Sequence, residues 1–263
     1  MSLPDDTALA AAGLQVSRAD SVLTVTLDKA ERRNSQTPRM WHALADIGAA
    51  LPDDVRVVVV RGAGDCFSAG IDTRLLGPAG IDGEDSVAEL MHATDAEITD
   101  AIDGYQRGFT WLSDPRIVSV AAVHGYAIGA GFQLALACDL RVVADDVAFC
   151  MKEPALGLVP DLGGTKPLVD LVGYSRALEI CVTARYVGAD EAQDLGLATA
   201  VVPGEHLDAA TSDLVQAVLA STAGAVRETK GLLRGAGGRD LEEQRQAEAQ
   251  AQLRRFRELV GGA

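Results

Sequence analysis

Residues 117–138 constrain the fold of this chain more than any other segment. The segment reads IVSVAAVHGYAIGAGFQLALAC and contains no Asp, Glu, Lys or Arg over 22 residues, a length that could span a bilayer. However, His124, Gln133 and three closely spaced glycines interrupt it. Its first part is rich in β-branched residues, whereas its last part has helical spacing. We therefore predict a buried strand, a glycine turn and a buried helix, and no membrane span.

Strands and helices alternate on both sides of this segment, which predicts an α/β fold. Residues 14–27 alternate as in a hairpin, and Pro38 follows Thr37 as at the start of a helix. A helix is predicted over about residues 86–112, broken or bent near Gly104. The other predicted elements are strands at 55–61, 140–143, 148–151 and 198–202 and helices at 131–138, 166–172, 175–183 and 189–195. We assign residues 1–202 to one core and 203–263 to a helical C-terminal region.

Composition argues against several classes of function. The net charge of −15 is unsuited to nucleic-acid binding, which needs a concentrated basic face. The four histidines lack the spacing of metal ligands, so no metal site is expected. The four cysteines form no CxxC pair and suit free thiols in a reducing compartment. The N-terminal segment has acids and no basic region before its apolar run, so we expect no signal peptide and a cytoplasmic protein.

Two acidic residues lie in a segment that otherwise looks buried. Glu153 and Asp161 both fall within FCMKEPALGLVPDLGGT. An ionised carboxylate among apolar residues is unfavourable unless it has a partner or a task. Glu153 could therefore be a catalytic base or half of a structural ion pair. Asp161 could be a second acid, or it could cap a helix after Pro160.

Two glycine turns could bind an anion through backbone N–H groups. One is FSAGID at residues 67–72, and the other is the GAG of residues 129–131, which leads into a helix. Each turn alone is more typical of ordinary chain reversal than of a site. The chain contains no GxxxxGK[ST] phosphate loop and no GxSxG nucleophile elbow, and its GAG lacks the third glycine of a dinucleotide fingerprint.

The motifs are far more specific in combination. FSAGID, HGYAIGAGFQLALACDLRVVADDVAF and KEPALGLVPDLGGT, in this order, closely resemble the enoyl-CoA hydratase/isomerase (crotonase) family. The resemblance covers about residues 14–202 and continues more loosely into the helical tail. It implies a spiral of ββα units and a C-terminal helical region that forms a homotrimer or a dimer of trimers. It also implies an acyl-CoA thioester as substrate, with no separate cofactor.

The resemblance also implies specific site residues. The backbone N–H groups of Ile71 and Ala130 would form an oxyanion hole for the enolate of the thioester. Coenzyme A would lie along the loops around residues 29–34 and 68–70, and Lys230 is similar to a family lysine near the 3′-phosphate. The residues expected to contact the substrate are Arg32, Ser68, Ala69, Gly70, Asp72, Gly129 and Lys230.

The chain departs from the family's hydratases at one catalytic position. Hydratases of the family use two glutamates, which fall here on Gln133 and Glu153, and an amide cannot accept a proton as a carboxylate does. Asp161 matches an aspartate of the family's dienoyl-CoA isomerases, although these usually carry aspartate at the Gln133 position as well. The family's Δ3,Δ2-enoyl-CoA isomerases use one glutamate, which Glu153 alone would provide. We therefore expect an isomerase of an enoyl- or dienoyl-CoA, with Gln133, Glu153 and, for a two-acid mechanism, Asp161 in its catalytic centre. The alternatives are a hydratase with a Gln133-held water and a non-catalytic acyl-CoA-binding protein.

Overall fold

The protein is an α/β structure with a helical C-terminal region, as seen in a computed structural model that describes residues 3–85 and 87–261. The α/β architecture predicted from the sequence is therefore confirmed. In chain order the helices and strands are α1 (Asp6–Ala11), β1 (Leu14–Ala19), β2 (Val22–Leu27), α2 (Pro38–Ala49), β3 (Val57–Gly62), α3 (Val87–Leu90), α4 (Asp95–Thr110), β4 (Val118–Val123), β5 (Tyr126–Ile128), α5 (Ala130–Ala137), β6 (Leu140–Ala144), β7 (Ala148–Cys150), α6 (Thr165–Val172), α7 (Tyr174–Thr183), β8 (Val187–Gly188), α8 (Ala189–Asp194), β9 (Ala200–Val202), α9 (Leu207–Leu219), α10 (Ala223–Ala236) and α11 (Leu241–Gly261).

A six-stranded sheet in the order β1-β2-β3-β4-β6-β9 forms the centre of the molecule. Within this sheet, as far as the structure describes it, only β1 and β2 pair antiparallel, as the predicted hairpin requires, and the other pairs are parallel. The central strands VVVVRG and VSVAAV are almost entirely buried. Burial on both faces explains why these strands are continuously apolar rather than alternating.

The uncharged segment contains the predicted strand, turn and helix. β4 is followed by the short strand β5, which belongs to a second sheet in the order β5-β7-β8. Gly129, with φ of 52°, then reverses the chain into α5, whose residues 130–136 are all buried. The positive φ explains the glycine, because other residues are strained in that conformation. The turn between β5 and α5 therefore lies against the core.

The helix was predicted to be broken or bent near Gly104, and a break is wrong, because α4 runs without interruption from Asp95 to Thr110. A Cβ on Gly104 would lie 3.3 Å from Cε1 of His42, so the glycine allows α4 to approach α2 closely. The helix begins at a capping box, in which the Thr94 and Glu97 side chains satisfy each other's backbone N–H groups. Ser86, where the helix was expected to start, lies outside the described residues.

The C-terminal region begins with a helix that covers the sheet. Leu207 and Val215 of α9 pack in one apolar cluster with strand residues such as Val59 and Val120. α10 and α11 follow as a pair, and α11 is mostly exposed. Within the described residues, no helix is both long and apolar enough to cross a membrane. The domain boundary at residue 202 stays a prediction.

Candidate active site

The two glycine turns meet at one point of the structure. The Ser68 N–H donates to the Tyr126 carbonyl at 2.9 Å, and the Ile128 N–H donates to the Ser68 carbonyl at 3.0 Å. Gly70 has φ of +83°, and a Cβ there would lie 2.3 Å from the Ile128 oxygen and 3.4 Å from the Ala130 nitrogen. Only glycine allows this approach. The loop after β3 and the start of α5 are thereby fixed against each other.

The N–H groups of Ile71 and Ala130 are both open at this junction. The N–H groups that flank them on one side are used, since Asp72 donates to the Gln36 carbonyl at 2.8 Å and Gly129 donates to the Cys150 carbonyl at 2.7 Å. Ala130 begins α5, so its N–H has no intrahelical acceptor. Across residues 3–85 and 87–261, neither Ile71 nor Ala130 donates its N–H to another group. These are the two donors expected for the oxyanion hole.

A buried polar network supports the Gly70 turn from behind. The Ser68 hydroxyl donates to the Asn34 carbonyl at 2.7 Å and accepts from Gln36 Nε2 at 3.1 Å and from the Gly70 N–H at 3.2 Å. Gln36 Oε1 in turn accepts from Trp41 Nε1 at 2.8 Å. Because Ser68 is fully buried and its hydroxyl is saturated, the expectation that it contacts substrate is wrong. Its role is to hold the turn.

Asn34 and Gln36 are site-supporting residues that the sequence did not reveal. Asn34 has φ of 52°, and its side chain accepts from the Lys29 N–H and donates to the carbonyls of Ala63 and Cys66. Asparagine tolerates a positive φ, so its place in a polar loop was a usable signal. Gln36 offered no such signal, because its partner Ser68 is 32 residues away.

The Asp72 carboxylate is committed to its own loop. It accepts from the Arg74 backbone N–H at 3.1 Å, pairs with Arg74 Nη2 at 2.6 Å and accepts from the Ser35 hydroxyl at 3.2 Å. Arg74 is the main reason that the pKa of Asp72 falls to about 2. The prediction of Asp72 as a substrate contact is therefore corrected, because its carboxylate closes the turn after Ile71.

Glu153 brings a carboxylate to the other side of the junction. Oε1 accepts from Gln133 Nε2 at 2.7 Å, whereas the buried Oε2 has no hydrogen-bond partner in the described part of the chain. A Cβ on Gly129 would lie 3.1 Å from Oε1 and 3.6 Å from Oε2, so the carboxylate lies directly against the turn that precedes Ala130. Burial is the main cause that raises the pKa of Glu153, and the charge of Asp161 raises it further. No cation among residues 3–85 and 87–261 pairs with it, which removes the ion-pair interpretation.

Gln133 is fully buried and is used for support. Its Oε1 accepts from the Leu162 N–H at 2.9 Å and from the Gly164 N–H at 3.2 Å, and its Nε2 donates to Glu153. Both lone pairs of the amide oxygen are therefore occupied, and only one N–H of the amide remains. The amide oxygen is therefore not available to a water, so a Gln133-held water would have to bind the remaining N–H, and that expectation stays a prediction.

Asp161 lies next to this group without capping a helix. α6 begins at Thr165 and its capping position is Gly164, so the cap interpretation fails. Asp161 is half-buried, and burial raises the pKa of its carboxyl group. Its carbonyl accepts from Gln106 Nε2 at 2.7 Å. After burial, the negative charge of Asp161 is a further cause that raises the pKa of Glu153.

Lys230 does not face a ligand. Its ammonium group donates to the Asp114 and Ile117 carbonyls, each at 2.8 Å, and to Asp139 Oδ2 at 2.7 Å. An ammonium has three N–H groups, and all three are used. The side chain is also buried. The predicted contact with the 3′-phosphate is therefore wrong, and Lys230 instead anchors α10 to the start of β4.

An exposed cation lies on the loop around residues 29–34, beside the first glycine turn. Arg32 is exposed and makes no ion pair with another described residue. The loop is held to the first turn because the Ala69 N–H donates to the Arg33 carbonyl at 2.8 Å. The exposed cation of Arg32 therefore lies on a loop that is hydrogen-bonded to the first glycine turn.

Comparison with known proteins places this geometry in a family. The enoyl-CoA hydratase/isomerase model matches residues 17–259. The mitochondrial Δ(3,5)-Δ(2,4)-dienoyl-CoA isomerase of Rattus norvegicus is 36% identical over 74% of this chain and 60% of its own length. Carnitinyl-CoA dehydratase of Escherichia coli is 32% identical over 88% of this chain and 83% of that protein. The chain spans about three fifths of the length of the mammalian dienoyl-CoA isomerases.

Solved structures agree over nearly the whole chain. A candidate enoyl-CoA hydratase from Thermobifida fusca YX in complex with CoA has a TM-score of 0.94 at 50% identity, with 98% of both chains covered. A structure of a candidate enoyl-CoA hydratase from the same organism in complex with acetoacetyl-CoA gives the same TM-score, with 97% of this chain covered and 99% of the other. The fold is therefore the crotonase spiral, and the chain belongs to the enoyl-CoA hydratase/isomerase family.

Proposed function

We propose that the protein shifts the double bonds of a dienoyl-CoA thioester, moving a proton along the acyl chain. The observation that carries this proposal is the buried, unpartnered Oε2 of Glu153, which lies beside the turn that presents the Ala130 N–H. A carboxylate with a raised pKa and a free oxygen is suited to accept a proton near neutral pH.

The proposed reaction has two proton transfers and no net change in composition. Glu153 Oε2 removes a proton from C2 of a 3,5-dienoyl thioester. The charge moves onto the thioester oxygen, where the N–H groups of Ile71 and Ala130 stabilise the enolate. Asp161 then donates a proton to C6, which leaves double bonds at C2 and C4. Glu153 and Asp161 exchange protons with water to restore their starting states.

The second acid is the reason for proposing a dienoyl rather than a monoenoyl substrate. A 3-enoyl thioester needs its proton moved only from C2 to C4, which one carboxylate can do. Transfer from C2 to C6 covers a longer distance and suits two acids. Asp161 supports this assignment because burial raises its pKa, which keeps a larger fraction of it protonated as a proton donor.

Hydration of a 2-enoyl thioester is the less favourable alternative. It requires a held and activated water, but Gln133 has no basic oxygen and its amide oxygen already accepts two backbone N–H groups. The dienoyl-CoA isomerases among the relatives are 34–36% identical to this chain, which supports the isomerase proposal.

The remaining parts of the proposal concern binding and assembly. The free cation Arg32 and the loop of Ala69 and Gly70 are proposed to bind coenzyme A, in line with neighbours solved with CoA and acetoacetyl-CoA. We also propose a homotrimer or a dimer of trimers formed through the C-terminal helices. Proton transfer of this kind needs no additional cofactor. The four free cysteines are consistent with a cytoplasmic location.

Three substrates separate the candidate functions. Purified protein is incubated with 3,5-octadienoyl-CoA, 3-octenoyl-CoA and crotonyl-CoA, and products are identified by mass and absorbance. The proposal predicts 2,4-octadienoyl-CoA from the first and no water addition to crotonyl-CoA. Fast hydration of crotonyl-CoA without isomerisation would establish the hydratase instead. Tight binding of all three thioesters without turnover, unchanged in Glu153→Gln, would establish a binding protein.

A further inference from the structure

The turn that carries Asp161 is held by two glutamine side chains from different helices. Gln106 on α4 donates through Nε2 to the Asp161 carbonyl at 2.7 Å. Gln133 on α5 accepts through Oε1 from the N–H groups of Leu162 and Gly164 at 2.9 and 3.2 Å. The Gln106 amide therefore binds one carbonyl of the turn, and the Gln133 amide binds two of its N–H groups.

The Asp161 carboxylate itself has no such support. Within residues 3–85 and 87–261, its carboxylate oxygens form no hydrogen bond with another side chain or with the backbone of another residue. Its position therefore depends on the backbone of its turn. That backbone is fixed by the amides of Gln106 and Gln133, both supplied by the packed helices behind the site.

Gln133 also contacts the other acid. The same amide that accepts from Leu162 and Gly164 donates to Glu153 Oε1 at 2.7 Å. A Cβ on Gly164 would lie 2.6 Å from Cγ of Gln133, so glycine there allows the turn to close against this side chain. One rigid amide thus joins the Glu153 carboxylate to the turn of Asp161.

We propose that Gln106 and Gln133 are positioning residues that act as two amide clamps. They fix the separation between Glu153 and Asp161, and so set the distance over which a proton is relayed along the acyl chain. The inference rests on the proposed isomerisation and adds two residues that determine how far along the acyl chain the proton is moved. Gln133 acts on both acids, whereas Gln106 acts on Asp161 alone.

This division predicts that Gln106 affects only the second proton transfer. Removal of a proton from C2 uses Glu153, which Gln106 does not contact. Delivery of a proton to C6 uses Asp161, whose turn loses one of its two clamps. An enolate that forms at the normal rate but is protonated slowly at C6 returns its proton to C2. In D2O, such returns label C2 with deuterium.

The test compares deuterium exchange at C2 with isomerisation of 3,5-octadienoyl-CoA in D2O. Gln106→Met keeps the length of the side chain and removes the donor. We expect isomerisation to fall about 10-fold, less than the about 100-fold that a 1 Å displacement can cause, while C2 exchange stays near the wild-type rate. Arg107→Met is the matched control, because Arg107 is the next residue of α4, is exposed and pairs with Asp103 alone among the residues that the structure describes.

Gln133→Met is the second variant, and there both rates should fall together, with KM nearly unchanged. If it does not fold, Gln106→Met alone decides the question. An unchanged ratio of exchange to isomerisation in Gln106→Met, in a background where the wild type isomerises, overturns the inference. A wild type that does not isomerise the dienoyl thioester contradicts the proposed function instead, so the two failures are distinct.

Discussion

Glu153 and Lys230 are both buried and ionisable, yet their surroundings differ in one respect. Burial favours the neutral form of each group, so it raises the pKa of Glu153 and lowers the pKa of Lys230. Lys230 has an acceptor for each of its three N–H groups. Glu153 leaves Oε2 without any partner in the described chain. The shifted pKa values alone would not separate the two groups, whereas the hydrogen bonds do.

The difference separates a structural charge from a functional one. The ion partner of Lys230 is itself held in place, because Asp139 also accepts from the N–H and the hydroxyl of Ser119 at 2.8 and 3.1 Å. Such a site fixes α10 to the sheet. At Glu153 the fold leaves a buried oxygen unsatisfied, which is unfavourable for stability and is expected where a substrate supplies the missing partner.

Glu153→Gln should have the largest effect on activity. Because the proposed base is removed, kcat for isomerisation should fall about 10³- to 10⁴-fold, or about 4–5.5 kcal/mol. Stability should be unchanged or higher, since an unpartnered buried carboxylate is replaced by a neutral amide. Kinetics and urea denaturation of the same preparation measure both quantities. A structural role for Glu153 would instead lower the stability and leave the activity of the folded fraction intact.

Lys230→Met should show the opposite pattern. Removing one partner of a buried ion pair should lower the free energy of unfolding by about 3–5 kcal/mol. Activity per folded molecule should remain near the wild-type value. Arg234→Met is the control, because Arg234 is an exposed cation one turn further along α10. A loss of coenzyme A affinity without a loss of stability would restore the ligand-binding interpretation of Lys230.

Ala130→Pro should lower kcat about 10²- to 10³-fold, or about 2.7–4 kcal/mol, by removing one donor of the oxyanion hole. Proline is well tolerated at the first position of a helix, so α5 should still form. Ala130→Gly retains the N–H and serves as the control. If both variants lose activity equally, the N–H is not the group that matters.

Glu153 and Lys230 should contribute to the pH dependence of stability with opposite sign. This is the smallest of the expected effects. The raised pKa of Glu153 means that the folded state holds a proton longer, so its contribution to stability falls as pH rises above 4.5 toward the folded pKa. The lowered pKa of Lys230 makes its contribution rise with pH from its folded pKa to 10.5. Denaturation of each variant and the wild type across pH checks these slopes. Parallel curves for Glu153→Gln and wild type above pH 4.5 would contradict the assignment for Glu153.

The strand, turn and helix of the uncharged segment were predictable because their signals are local. β-Branched residues favour the strand, Gly129 adopts a positive φ, and apolar residues with helical spacing form α5. The family motifs likewise predicted the two open N–H groups at Ile71 and Ala130. Local sequence was enough in these cases, since each signal lies within a few residues of the feature that it produces.

Contacts between distant segments were not predictable in the same way. Lys230 binds two carbonyls that lie 116 and 113 residues away, and a backbone carbonyl has no sequence signature. Gly104 indicated a helix break but allows close packing of α4 on α2. The amide of Gln106 reaches the carbonyl of Asp161 across 55 residues. In each case the function of the residue depends on a partner that only the fold provides.

Deuterium exchange at C2 of 3,5-octadienoyl-CoA tests the role of Glu153 Oε2 most directly. The thioester is incubated in D2O with wild-type protein and with Glu153→Gln, at concentrations where both bind it, and label at C2 is measured by mass spectrometry. We predict exchange with the wild type and none above the uncatalysed background with Glu153→Gln. Exchange at the wild-type rate in Glu153→Gln would show that another group removes the proton.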